Sequence, residues 1–368
     1  MLAGTTVKEA AAPKPDVSNN SKLGSVIDLF CGAGGLSYGL KSAGLNIAGG
    51  FDIDGFCKHA YEHNMGASFY QRDVASLSAA DLENVFLPNK KRVLVGCAPC
   101  QPFSTYNPNN EDPKWNLVNS FSRIIVDTLP DIVSMENVPQ LKKFSNGKMF
   151  KNFVKTLEDN GYNVDYDILY CPDYGLAQTR SRLVLLASRL GPIYLPKKTH
   201  KGAHRDVRSE IGDLPKLEAG QEHPDDPMHK APALSELNMK RIQASKPGGT
   251  WRDWPKDIVA ECHTRDKGKN YSSVYGRMSW DAPSPTITTQ FFGFGNGRFG
   301  HPEQDRALSL REGAMLQGFP ENYQFVPPKS KMYTVRLGKL IGNAVPVTLA
   351  QRIGEVIYDH LLEYEVKP

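Results

Sequence analysis

The chain has 368 residues, with 44 Lys and Arg against 40 Asp and Glu, a formal net charge of +4. With 40% hydrophobic and 23% charged residues it can bury a sizeable core, which excludes wholesale disorder and predicts two domains at this length. No run of about 18 apolar residues offers a membrane span, six scattered cysteines exclude a disulfide scaffold, and so small a positive excess does not by itself announce a nucleic-acid partner.

Residues 1–24 read as a disordered tail rich in Ala, Pro, Lys and Asn, without the apolar core of a signal peptide. A reduced, cytoplasmic setting is the default. From Ser25 to about Ala187 short apolar runs alternate with amphipathic stretches. Strands are predicted at 25–30, 45–51, 92–95, 131–135, 164–170 and 183–187, and helices at 35–43, 55–64, 116–129 and 149–160. Gly44 and Gly161 suit left-handed caps on two of those helices. Strands alternating with helices predict an α/β fold with a largely parallel sheet.

The pattern breaks at residue 188. The stretch to about 275 is rich in Pro, Gly, His and Trp and carries 16 Lys and Arg against 12 Asp and Glu, the same excess of four as the whole chain. It reads as a smaller, irregular domain or large insertion. Regular structure returns with predicted helices at 308–317 and 345–364.

Three segments carry the chemistry. Asp28-Leu-Phe-Cys-Gly-Ala-Gly-Gly35 follows a strand and opens a helix, and Asp52 closes the next strand, where a carboxylate can hold both hydroxyls of a ribose. The phosphate pattern Gly-x-Gly-x-x-Gly is not met, so a nucleoside without phosphates, such as S-adenosylmethionine, fits better than NAD; a merely structural turn remains the alternative. Gly96-Cys-Ala-Pro-Cys-Gln-Pro-Phe-Ser104 follows the strand at 92–95. Its Cys-x-x-Cys reads as a redox pair, as half of a zinc site that lacks its other ligands, or as a lone nucleophile, Cys100, on a proline-stiffened loop. The next strand delivers Glu136, either a structural cap or a proton donor whose pKa apolar walls would raise. Gln178-Thr-Arg-Ser-Arg182 places Arg180 and Arg182 on one side of an extended segment, to grip an oxygen or phosphate or simply to face solvent.

Together these residues resemble the C5-cytosine-specific DNA methyltransferases of the bacterial restriction-modification type. The matching segments are Asp28–Gly35, Pro99-Cys100, Glu136-Asn137-Val138, Gln178–Arg182, Arg306–Glu312 with Gln317–Pro320, and Gly342–Pro346, in family order over roughly residues 24–364. The resemblance implies a Rossmann-like S-adenosylmethionine-dependent methyltransferase domain at 25–187 and 300–368, with a target-recognition domain at 188–299. It implies S-adenosyl-L-methionine as cofactor and S-adenosyl-L-homocysteine as product, double-stranded DNA as partner, possible pairing with a cognate endonuclease, monomeric action at the nucleoid, and no metal.

Residue by residue, the resemblance implies Cys100 as nucleophile, Glu136 on cytosine N3 and its amine, Arg182 on O2, and Arg180 positioning the loop or phosphates. Phe30 and Ile53 would meet the adenine, Gly32, Gly34 and Gly35 the methionine moiety, Asp52 the ribose and Asp73 the adenine amino group. Val74, Pro99, Leu117, Asn343 and Ala344 complete the expected cofactor set. Ser104, Lys197, Lys198, Arg205, Trp251, Arg252 and Arg298 are the expected DNA contacts, although the tryptophan could instead belong to a small core. Ile53 stands where many members carry a larger residue, and Asp112-Pro-Lys-Trp-Asn-Leu117 departs from the usual Arg-Gly-x-Leu. The other readings are an RNA cytosine methyltransferase of the DNA-enzyme type, an inactive DNA-binding relative and, least of all, a dehydrogenase.

Overall fold

A computed structural model describes residues 23–99, 116–266 and 268–365 of the chain. Cys100 and Ser104 lie outside the described residues, as do 1–22 of the expected tail. Residues 23 and 24 correct that tail: they open strand β1 (Leu23–Leu29), because Leu23 pairs in register with Leu45 and is buried in the core.

The chain then runs through α1 (Gly35–Ser42), β2 (Leu45–Asp52), α2 (Lys58–Met65), β3 (Ser68–Gln71), α3 (Ala79–Glu83), β4 (Arg92–Gly96), α4 (Leu117–Thr128), β5 (Ile132–Asn137), α5 (Lys148–Asp159), β6 (Asn163–Tyr170) and β7 (Ser181–Ser188). Gly44 and Gly161 both take positive φ, 95° and 80°, as the capping argument expects. The sheet order is β3-β2-β1-β4-β5-β7-β6. Strands β3 to β5 in that order are parallel, whereas β7 is antiparallel to both β5 and β6. The ten-residue link from β6 to β7 is too short for a crossover helix, so the chain turns back on itself. β3 escapes sequence reading because Ser-Phe-Tyr-Gln at a sheet edge presents hardly any apolar run.

Alternation along the central strands serves two cores, as the two-residue period of a strand requires. Ile27, Leu94, Val133 and Leu185 face α4 and α5, meeting Phe121, Ile124, Phe150 and Phe153. Val26, Val93, Ile132 and Val184 face the other way, meeting Leu36 and Leu40 of α1. Each such fully buried side chain contributes about 1.5–3 kcal/mol.

Beyond β7 come α6 (Val207–Ile211), α7 (Glu236–Ala244), α8 (Glu261–Thr264), α9 (Leu310–Leu316), α10 (Thr334–Asn343) and α11 (Val347–Glu365). The last returns to the sheet and covers the α1 face through Leu349, Ile353, Ile357 and Leu361. The irregular segment is divided. Ile193, Val207, Ile211 and Met228 join the cores of the sheet-bearing part, while Ile242, Trp251, Trp254, Ile258 and Phe294 form a small core of their own with Ala307. No helix among the described residues is long and apolar enough to cross a membrane.

Candidate active site

The carboxyl ends of β1 and β2 lie side by side in the sheet. Phe30 and Gly32 turn the chain out of β1 with φ of 61° and 51°, and a positive φ at the phenylalanine is the kind of strain that collects at ligand sites. Gly32 donates its N–H to Asp52 Oδ2 at 2.9 Å, and Asp54 donates to Asp52 Oδ1 at 2.9 Å. Burial raises the Asp52 carboxyl above its usual range. Behind it burial lifts Asp28 to about 7, although Ser37 Oγ donates to it at 2.7 Å.

A Cβ on Gly32 would meet no heavy atom within 4 Å, so this backbone faces open space. Beside it Ile53 is 66% exposed. The residues therefore fit an adenosine-bearing cofactor: each Asp52 oxygen keeps a lone pair for a ribose hydroxyl, and Ile53 offers an apolar face. The C-terminal side closes against this loop. A Cβ on Gly35 would stand 2.5 Å from Val345 O and 3.4 Å from Ala344 Cβ, which is why glycine is required there. Asn343 is exposed at the end of α10. Gly34 precedes α1, and Pro99 and Leu117 are half-buried around the break in the described chain. Asp73 is exposed and caps its own turn by accepting from Ala75 N at 2.9 Å. Val74 is buried in the hydrophobic core with Phe51 and Leu77.

Glu136 stands at the carboxyl end of β5, beside β4 in the sheet. It is not surrounded by the apolar walls expected. Arg182 Nε lies 2.6 Å from Glu136 Oε1, and the Cys97 thiol donates to Oε2 at 2.9 Å. The antiparallel β7 brings the guanidinium there, since Val184 is the register partner of Glu136. Asn137 Nδ2 donates to Ala98 O at 3.1 Å and so ties the end of β5 to the loop that leads to Cys100. Cys171 is buried nearby, and burial pushes its thiol up to about 12, which leaves it inert.

Arg180, expected to position the loop or the phosphates, is 5% exposed. Its Nη1 donates to Gln178 Oε1, Ile287 O and Gln317 Oε1, and its Nη2 to Gly342 O, at 2.9–3.1 Å. Burial demands hydrogen-bond partners, and the carbonyls of three distant segments supply them.

The expected DNA contacts divide. Lys197 and Arg298 are exposed. Lys198 reaches Asp173 Oδ2 at 2.8 Å, Arg205 reaches Glu210 Oε1 at 2.9 Å, and Arg252 donates to Lys269 O at 2.9 Å. Of the two readings of Trp251, the small core is the one its surroundings match: it is 8% exposed, stacks on His263 at 4.4 Å and donates its Nε1–H to Tyr271 O. It belongs to the small core and not to a base-reading surface. Sequence reading missed Cys97, which it saw only as half of a Cys-x-x-Cys; its signal was the position directly after β4, one strand from Glu136.

A family profile described as C-5 cytosine-specific DNA methylase matches residues 24–359. The chain is 48% identical over 337 residues to the Type II methylase M.HgiDII of Herpetosiphon aurantiacus, covering 91% of this chain and 95% of the relative. It is 31% identical to the Type II methyltransferase M.Sau96I of Staphylococcus aureus, over 95% of this chain and 79% of the relative. In fold it is similar to the Entamoeba histolytica methyltransferase EhMeth, with a TM-score of 0.64 at 18% identity, covering 93% of this chain and 99% of the other.

Proposed function

The chain belongs to the C-5 cytosine-specific DNA methylase family, and from that premise we propose how its own residues carry the reaction. The protein is a DNA (cytosine-5-)-methyltransferase of the restriction-modification kind, which methylates cytosine within a DNA sequence.

Cytosine C5 is a poor nucleophile. The Cys100 thiolate adds to C6, forming a sulfur–carbon bond and making C5 an enamine carbon that attacks an electrophilic methyl group. S-adenosyl-L-methionine, held at Asp52, Ile53 and Gly32, would supply that methyl from its sulfonium, with S-adenosyl-L-homocysteine as the leaving product. Water takes the C5 proton, and the electron pair left behind expels the thiolate, which restores the ring and the enzyme. Glu136, protonated, donates to N3 and accepts from the exocyclic amine, where charge develops as the thiolate adds. Arg182 fixes Glu136 and has cytosine O2 as its second partner. Asp52 binds the ribose, Phe30 and Ile53 flank the adenine, and the backbone at Gly32 lies against the methionine moiety. The target atom is stacked inside a duplex, so the cytosine is turned out to reach Glu136.

Sequence reading falls to the irregular segment within 188–299, where exposed Lys197 and Arg298 meet phosphates. A monomer acting on cytoplasmic DNA beside an endonuclease of the same specificity completes the reading. The observation that carries it is the buried Glu136 carboxylate, held by Arg182 on the strand next to the loop that leads to Cys100. Cys100→Ala should abolish methyl transfer and leave cofactor binding intact, and persistent transfer would overturn the assignment. Bisulfite sequencing of DNA from cells expressing the protein reads product and site together; methylation of adenine, or of the cytosine amino nitrogen, counts against it.

A further inference from the structure

Cys97 has no part in the reaction as written, yet its thiol donates to Glu136 Oε2 at 2.9 Å. The other oxygen of the same carboxylate lies 2.6 Å from Arg182 Nε. The two partners come from opposite sides: Cys97 follows β4, Arg182 lies on β7, and β5 runs between them. Glu136 Oε2 thus accepts a hydrogen bond from one flank, while Oε1, which accepts none, is ion-paired with the Arg182 guanidinium from the other.

The last torsion of a glutamate is broad, so one partner leaves the carboxylate plane free to turn. Partners at both oxygens set that plane. A thiol is a weak donor, and a flipped base can displace it where a hydroxyl would compete. Weak donation therefore suits an oxygen that must be oriented first and surrendered afterwards.

We propose that Cys97 is a positioning residue for methyl transfer: its thiol sets the plane of the Glu136 carboxylate in the free enzyme and yields Oε2 to the incoming cytosine. The inference rests on the assignment of Glu136 to the cytosine ring. Steady-state kinetics on duplex DNA with Cys97→Ala, Cys97→Ser and Glu136→Gln test both, with Tm and cofactor affinity measured on each variant. Cys97→Ala should lower kcat about tenfold at unchanged Tm and cofactor affinity. Cys97→Ser should restore most of kcat while raising KM for DNA about threefold, because its hydroxyl competes with the base.

Wild-type kcat and KM in Cys97→Ala, with Glu136→Gln impaired, overturn the role of Cys97 alone. Equal losses in both Cys97 variants also overturn it, whether Tm falls with them, as for plain packing, or holds, since donation would then not matter. Full activity in Glu136→Gln removes the premise itself.

Discussion

Gln178 Nε2 donates to Gln317 Oε1 at 2.7 Å, joining two buried side chains 139 residues apart. Gln317 Nε2 in turn donates to Ile341 O and Ala344 O, and Gln178 Oε1 accepts from Arg180 and from Ile287 N. Three separate sequence motifs, around 180, 317 and 343, are thereby one hydrogen-bonded knot, whose Ala344 lies against Gly35 at the start of α1.

Gln317→Ala should leave Gln178 and Arg180 short of a partner and destabilise the fold by about 1–3 kcal/mol. Because Ala344 loosens with it, cofactor affinity should fall as well. Urea denaturation with calorimetric titration of S-adenosyl-L-homocysteine measures both; a stability loss with unchanged affinity would detach the knot from the cofactor site.

Arg306 and Glu312 form a fully buried pair with contacts of 2.8 and 2.7 Å. Burial alone would raise the glutamate, but the bonds from Arg306 hold it at about 2, below its ordinary 4.5. A depressed carboxylate stabilises the fold above its unfolded value, so this contribution is complete above pH 4.5 and is lost as pH falls toward 2. Nearby, burial holds His301 at about 4 instead of 6.5, which adds a loss as pH falls between those values. Glu312→Gln should flatten the lower part of the stability–pH curve and lower stability at pH 7. Arg306→Ala, which strands a buried charge, should cost about 3–5 kcal/mol in denaturant titrations.

Asp52→Asn replaces one acceptor oxygen by a donor, facing the N–H of Gly32 or Asp54. Cofactor Kd should rise about ten- to a hundredfold, the equivalent of one hydrogen bond to a charged group. Isothermal titration decides it, and an unchanged Kd would place the ribose elsewhere.

Trp251 and Lys197 should separate stability from DNA contact. Trp251→Ala empties the centre of the small core and should cost about 3–5 kcal/mol, read as a lowered Tm. Lys197→Ala should leave Tm unchanged and reduce the salt slope of DNA binding by about one. If Trp251→Ala weakened DNA binding at constant Tm, its assignment to the core would be wrong.

Much of the architecture was legible. Apolar strand runs and the capping glycines at 44 and 161 marked most of the sheet and its helices, because local period and backbone demand are written in neighbouring residues. β3 and α10 were not, the first for want of apolar residues at an edge, the second because its buried face, Leu337, Gly338, Ile341 and Gly342, is half glycine. In the site, the places of Asp52 and Glu136 at strand ends were legible. The burial of Arg180 and Trp251 was not, because residue type does not say which way a side chain is buried.

By itself the sequence determined the order of the motifs, the parallel half of the sheet and the chemistry available to each loop. These follow from local pattern, since strand period and turn geometry depend on residues a few positions apart. Only the tertiary structure decided who partners whom. The antiparallel β7, lying between β5 and β6, sets Arg182 against Glu136 and sends Arg180 back to Gln317 and Gly342. A buried polar group takes its role from the atoms that satisfy it, and those atoms come from segments distant in the chain, 46 residues away for Glu136 and Arg182 and more than a hundred for Arg180 with Gln317 and Gly342.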